Sequence, residues 1–587
     1  MIGGLGLVHH LRVLLLAALL SAPLAAPRRG AAQSSDGTLT IAEPGAPDTL
    51  NPLLTRTAAG TDAAAPVFDA LVRLDATGAF RPDLAVRWRR SVDARTWTFT
   101  LDPRARWHDG EKVTAADVAF TIGLVRDARF GAASTLGFDR IQAVASGDAQ
   151  QVTITLRAAY APFLATVGVT PILPRHVLGA IVPAKLRDYA PFNRRPIGSG
   201  PYTVAGVTDG GRVIEEANAD YFGGAPSVGR LVFAPVVPPV VPPVVPSLPP
   251  VPGGSRGAAL AAARRDPALL LPSSLGLTPN DVAGFGSAGS AGSAGSAGSA
   301  GSAGSAGNDN ILYSAGFAWT HLDLIERGAL ADPAVRRALA LATPRGELVA
   351  RVLRGHGHIS DGDQAPGTAA YDPTLHNSYR YDPRAARALL RKAGYAPLKG
   401  GLMARTGDKA PLTITLWGDA SCVDCAATLA LVARGWRAAG VASDVRLVPT
   451  PALFGPRGLL YNPGRFDGPG LDAVLYSWIN GPDPDDSAYW TRGAFVTPAH
   501  PLGGNFTGYA NPLLDSLATR AIVTPNGPGR YALYRHIQRI LVDDEPDVFL
   551  YWADNVSVVP RRLRGYSPTP YNGAATWNVR EWSMQGP

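Results

Sequence analysis

The residues best equipped for chemistry are two cysteines, Cys422 and Cys425, spaced as C-V-D-C. Thiols at this spacing close a local disulfide or, at a helix start, serve as a redox dithiol. The run A-A-T-L-A-L-V-A follows them, so both readings stand. A zinc site does not, because two thiolates without two further clustered ligands are half a site. His356 and His358, in the run Gly-His-Gly-His, read as a solvated loop. His108 reads as a packed or hydrogen-bonded scaffold residue, ahead of a tight Asp109–Gly110 turn. None of the five lysines, Lys112, Lys185, Lys392, Lys399 and Lys409, is followed by Ser or Thr. A Walker phosphate loop is therefore absent, and no HExxH occurs. No nucleophile stands beside a base in a readable pattern. These observations predict no catalytic residue, no cofactor and no metal site. A secreted hydrolase or thiol oxidoreductase acting through Cys422 and Cys425 is the competing reading from the enzyme class.

The elements that would position any site belong to a large globular chain. It has 587 residues, 46% hydrophobic and 17% charged, enough for roughly two to four domains. Of 55 basic residues only five are lysine, and the basic residues are scattered. This distribution leaves no electrostatic footprint for nucleic acid. Residues 1–33 read as a cleavable export signal: His9, His10 and Arg12 precede an apolar run from Val13 to Leu20 and on through Ala26. Cleavage falls before Gln33 or after Ala26. The net charge is +8, and loss of Arg12, Arg28 and Arg29 with the leader would leave +5. With no cysteine near the cleavage region, a lipid anchor is excluded there and a periplasmic location is expected.

Strands are expected at Thr38–Ala42, Thr96–Leu101, Val152–Leu156, Leu412–Trp417 and Val548–Trp552, where apolar residues alternate or cluster. Helices are expected at Thr114–Val125, Val335–Leu353, Pro383–Ala393, Ala426–Ala439 and Gly529–Asp543. The fold class is thus α/β with mixed strand order. Two low-complexity insertions interrupt it. Residues 235–252 repeat P-V-V-P and should be extended polyproline. Residues 286–307 repeat Gly-Ser-Ala and should be a flexible linker. The helix-like Gly257–Leu271 between them marks a return to the fold.

Ten segments, taken in order, resemble the extracytoplasmic solute-binding proteins of family 5, the peptide, nickel and opine binders of ABC importers. The longest runs from Phe68 to Ile122 and holds P-D-L-A, W-H-D-G and T-A-A-D-V. ILPRHVL (172–178), PIGSGPYTV (196–204) and NADYFGGAP (218–226) follow, then HLDL (321–324) and the run 330–357. YDPRAARALLRKAGY (381–395), YSWINGPDPDD (476–486), NFTGYANPLLD (505–515) and the run 531–552 complete the set.

The resemblance implies a two-lobed periplasmic-binding-protein fold, type II and cluster C-like, with mixed sheets and a hinge. Lobe I would comprise 36–312 and a C-terminal return, 553–587; lobe II would be 318–548. The chain would cross near Leu312–Trp319 and Phe549–Ala553. The resemblance also implies the partners: a small solute, foremost a peptide, and membrane permease subunits, with the protein itself a monomer. Ligand contacts are expected from Tyr476, Ser477, Trp478, Ile479 and Asn480. Trp417, Phe317, Trp319 and His321 form a second tier. In peptide binders of the family an Asp follows the tryptophan and captures the ligand's α-amine. Here Asn480 or Gly481 falls at that place, and Ile325 replaces a common Asn. A nickel chelate, haem, opine or oligosaccharide on the same scaffold is therefore the alternative ligand reading.

Overall fold

A computed structural model describes residues 37–236, 253–266, 268–283, 285, 309–455, 458–462, 470–497 and 503–585. The expected leader (1–33), nearly all of the proline-rich insertion (235–252) and the Gly-Ser-Ala linker (286–307) lie outside these residues. No helix among the described residues is long and apolar enough to cross a membrane.

The first half builds two sheets. Thr38–Glu43 lies at the heart of a five-stranded mixed sheet, parallel to both Arg230–Pro235 and Leu269–Leu270. A four-stranded antiparallel sheet joins Ala85–Arg90, Thr96–Leu101, Gln151–Leu156 and Ile141–Asp148. Thr96–Leu101 turns Trp97, Phe99 and Leu101 into one core with Phe163. The helix Ala115–Arg126 starts where Thr114 and Asp117 form a reciprocal capping box.

The PIGSG segment is explained by close backbone approach. A Cβ at Gly198 would meet the Val67 carbonyl oxygen at 1.9 Å, and one at Gly200 would meet that of Pro66 at 2.4 Å. His108 clamps this loop. The Gly198 N–H donates to its Nδ1 at 3.2 Å, so Nε2 carries the proton and donates to the Gly200 carbonyl at 3.1 Å. His108 is thus a scaffold residue, as its sequence setting indicated.

The second half builds a six-stranded mixed sheet in the order Gly357–Ile359, Asp547–Ala553, Ala318–Leu324, Ala473–Ile479, Thr413–Asp419, Ala442–Val448. The segment expected as one helix over Val335–Leu353 is two, Pro333–Leu341 and Arg345–Arg351. Pro344 has no N–H to continue the first helix, and the backbone breaks there. Arg336 is buried and fastens the sheet's return: its guanidinium donates to the carbonyls of Leu330, Asp544 and Glu545 and pairs with Glu326 at 3.1 Å.

Between the two halves stands a ladder of two strands, Asp309–Ser314 and Asn555–Pro560, antiparallel throughout. Each strand continues into the six-stranded sheet: Ser314 leads through 315–317 to Ala318, and Ala553 passes Asp554 into Asn555. Backbone bonds between Leu271 and Val558, both 2.9 Å, tie the ladder to the first half. Residues 549–553, expected as the second crossing, lie inside the six-stranded sheet, where Phe549 pairs with His321 and Trp552 with Trp319. The chain leaves that sheet only at Asp554.

Candidate functional site

The YSW segment ends the strand Ala473–Ile479, antiparallel to Ala318–Leu324 with Trp319 opposite Trp478, Thr320 opposite Ser477 and His321 opposite Tyr476. Strand alternation sends the two sets of side chains to opposite faces. One face is dry. Trp319 and His321 have no exposed surface, and Tyr476 is buried beside them. The other face opens at its end, where Ser477 is exposed and Ile479 is 73% exposed. Ser477 shares a hydroxyl hydrogen bond of 2.8 Å with Thr320.

Trp478 is half-buried between two rings, Tyr489 at 4.6 Å and Phe506 at 5.9 Å, both stacked. Trp417, one strand across, is also half-buried. Its indole N–H donates to the Gly470 carbonyl at 2.6 Å, and Arg446 lies 5.1 Å over its ring. Sequence reasoning missed Tyr489 and Phe506. The signal was present in S-A-Y-W and N-F-T-G-Y, but nothing local says which aromatic meets which.

Four expected contact residues are corrected by burial. Trp319 is packed among Trp490, Phe549 and Trp552. Burying about 200 Å² of indole at ~25 cal/mol per Å² holds it there by about 5 kcal/mol. His321 lies beneath it, beside the carboxylates of Asp323 and Asp547. Tyr476 donates its hydroxyl to Asp323 at 2.7 Å, and burial first, then Asp323 and Asp547, pushes its pKa upward. Phe317, also buried, packs edge-on against Tyr571 at 4.9 Å, bridging the crossing to the C-terminal return.

Asn480 is half-buried and spent at every side-chain polar atom. Its Oδ1 accepts from Trp319 Nε1 at 2.9 Å, and its Nδ2 donates to the carbonyl of Asp363. Its backbone N–H donates to Phe317 O at 3.0 Å. Asp483, next along the loop, is held by Arg530 through two parallel bonds of 2.7 and 2.6 Å. Asp363 and Asp486 form a buried carboxyl pair, both pushed upward by burial and Asp486 also by the charge of Asp363; one proton shared between them accounts for this. Asp483 is thus ion-paired, and Asp363 and Asp486 are buried.

Cys422 and Cys425 are joined by a disulfide at the start of the helix Cys425–Ala438. Asp424, inside that loop, accepts from Asn280 Nδ2 of the first half at 3.3 Å. A second link between the halves runs from Ala161 N–H to Ile522 O at 2.8 Å. A cavity of about 560 Å³ lined by Arg73, Asp83, Arg104 and Arg580 lies elsewhere, and none of the expected contact residues lines it.

These features match a known class. Residues 79–241 and 285–495 match the bacterial extracellular solute-binding proteins, family 5. Protein XP55 of Streptomyces lividans is 28% identical over 549 residues, 93% of this chain and 89% of that protein. The oligopeptide-binding protein AppA of Bacillus subtilis is 24% identical over 553 residues, covering 93% and 91%. Among solved structures, NikZ from Campylobacter jejuni in complex with Ni(L-His) superposes with a TM-score of 0.70 at 23% identity, covering 93% of this chain and 99% of that one. The chain belongs to the family 5 extracellular solute-binding proteins, and its fold is the two-lobed fold of that family.

Proposed function

We propose that the protein is the extracytoplasmic binding subunit of an ABC importer and that it closes its two lobes on a peptide, which it hands unchanged to a membrane permease. Lobe I comprises the residues up to Ser314 with the return from Asn555, and lobe II is Ala318–Ala553. The paired crossings at 315–317 and Asp554 support this division, because two adjacent short connections give a hinge about one axis. Ligand favours the closed state by the contacts it adds there.

The observation that carries the reading is the exposed end of the strand Ala473–Ile479 beside the half-buried Trp478. Ser477, Trp478 and Ile479 are the proposed ligand contacts, with Trp417 beyond them. An extended peptide pairs its backbone with such a strand end and lays its side chains against the indole. The similarity to an oligopeptide-binding protein along 93% of the chain supports a peptide ligand. The commitment of Asn480 and Asp483 supports recognition that does not depend on a free α-amine. The protein acts in the periplasm as a monomer, after loss of residues 1–33.

A thermal-shift panel of peptides, nickel chelates, opines and sugars tests the reading, since a ligand of the folded form raises its melting temperature. Peptides should raise it, and N-acetylation should leave the effect in place. A shift with Ni-histidine chelates and none with any peptide would replace the peptide reading by the one the NikZ structure exemplifies.

A further inference from the structure

We propose that His321, Asp323 and Asp547 bind a structural divalent transition cation of the zinc class, held between the strand that enters the six-stranded sheet and the strand that leaves it. His321 and Asp323 are two residues apart on Ala318–Leu324 and so share a face. Asp547 begins Asp547–Ala553 and is the register partner of Asp323. The three residues are 0%, 3% and 1% exposed.

The distances suit an ion. His321 Nε2 lies 3.1 Å from Asp323 Oδ1 and 3.7 Å from Asp547 Oδ2, and one donor atom from each residue falls within 4.8 Å of the others. Donors at about 2.0–2.1 Å around a tetrahedral zinc stand roughly 3.4 Å apart.

The orientation of each donor is set from behind. His321 Nδ1 lies 3.4 Å from the Trp319 carbonyl, so the ring proton belongs on Nδ1 and the lone pair on Nε2. Tyr476 donates to Asp323 Oδ2 and leaves Oδ1 turned to the centre. Among the described residues no hydrogen bond reaches His321 Nε2 or Asp547 Oδ1, although both are fully enclosed. His321 Nε2 and Asp323 Oδ1, 3.1 Å apart, make no hydrogen bond with each other. A lone pair and two carboxylates converging in a dry core are relieved by a shared proton or by a cation, and a dication makes the group neutral while using all three donors.

One imidazole and carboxylate oxygens suit zinc or a similar first-row ion; a donor set without thiolate does not favour copper(I). Asp547, with a second unpartnered oxygen, completes four donors by binding through both. Because the site is enclosed, the ion enters as the chain folds and stays. It would pin the two hinge-bearing strands to each other independently of any ligand between the lobes.

The test is metal analysis of the full exported chain, produced with zinc in the medium and passed through gel filtration. Inductively coupled plasma mass spectrometry should find one zinc-class ion per folded chain. Unfolding in guanidinium with a chelator, then refolding without metal, should give a lower melting temperature that added Zn2+ restores. His321→Gln and Asp547→Asn should each lose the ion. Wild-type protein that is metal-free, refolds in chelator with its full melting temperature and gains nothing from Zn2+ overturns the proposal. So does retention of the ion at the wild-type level in both variants.

Discussion

Replacing Asn480 by aspartate introduces the residue type that the family resemblance associates with α-amine capture, and here it should damage the fold instead. The substitution exchanges one NH2 for an oxygen. In the native loop that NH2 donates to the Asp363 carbonyl, while Oδ1 accepts from Trp319. The introduced carboxylate keeps the second bond and turns the first into two acceptors face to face. The loss of a buried hydrogen bond with its carbonyl left unpaired costs about 1–3 kcal/mol. The Asp363–Asp486 carboxyl pair adjoins the same carbonyl, so a further negative charge adds repulsion, and the expected total is about 3 kcal/mol at about pH 8. The penalty depends on pH. Once protonated, the introduced carboxyl can donate to Asp363 O, so its folded pKa is raised and the penalty shrinks as pH falls toward about 5. Urea unfolding of wild type and Asn480→Asp at both pH values checks this. Equal stability at about pH 8, together with tighter binding of peptides bearing a free α-amine, would show Asn480 to be a free cleft residue and refute the reasoning.

Burial pushes the Asp62 carboxyl up to about 6 from 3.8, against bonds from Ser274 and Ala575, which corresponds to about 3 kcal/mol. The native state holds that proton longer than the unfolded chain. Stability through this group is therefore complete below about pH 4 and lost as pH rises to about 6. Asp62→Asn should remove that slope, and parallel pH–stability curves for the two proteins would contradict the assignment. Arg530→Met leaves Asp483 without its bidentate partner and should cost about 3–5 kcal/mol, partly recovered by adding Asp483→Asn; a loss below about 1 kcal/mol in denaturant unfolding would show the pair to be expendable. Gly198→Ala drives a Cβ into the Val67 carbonyl at 1.9 Å, so its melting temperature should fall well below that of Gly147→Ala, where nothing lies within 4 Å of the added carbon; equal melting temperatures would sink the close-approach argument.

Local chemistry made much of the scaffold legible. Thr114 and Asp117 announce a helix start because a hydroxyl and a carboxylate three residues apart satisfy exposed backbone donors wherever they occur. The alternation in Thr96–Leu101 yields a strand because period two puts Trp97, Phe99 and Leu101 on one side. The order of the family segments led to the two-lobed fold. The single helix expected over Val335–Leu353 was lost to Pro344, a local signal outweighed by the long apolar period around it.

The site was less legible because exposure is a property of the assembled sheet. Trp319, His321 and Tyr476 look like cleft residues along the chain, yet the pairing of two antiparallel strands packs them on one face, leaves Trp478 half-buried at the end of that face and turns Ser477 and Ile479 to the other side. Asn480 reads as a vacancy for a carboxylate until Trp319 and Asp363, distant in the chain, are seen to occupy both ends of its amide. Sequence alone determined the elements and the family, since these rest on residue type and short spacing. Which side chains are free to meet a ligand was decided only by tertiary structure, because a polar atom's availability depends on neighbours that strand pairing delivers from far along the chain.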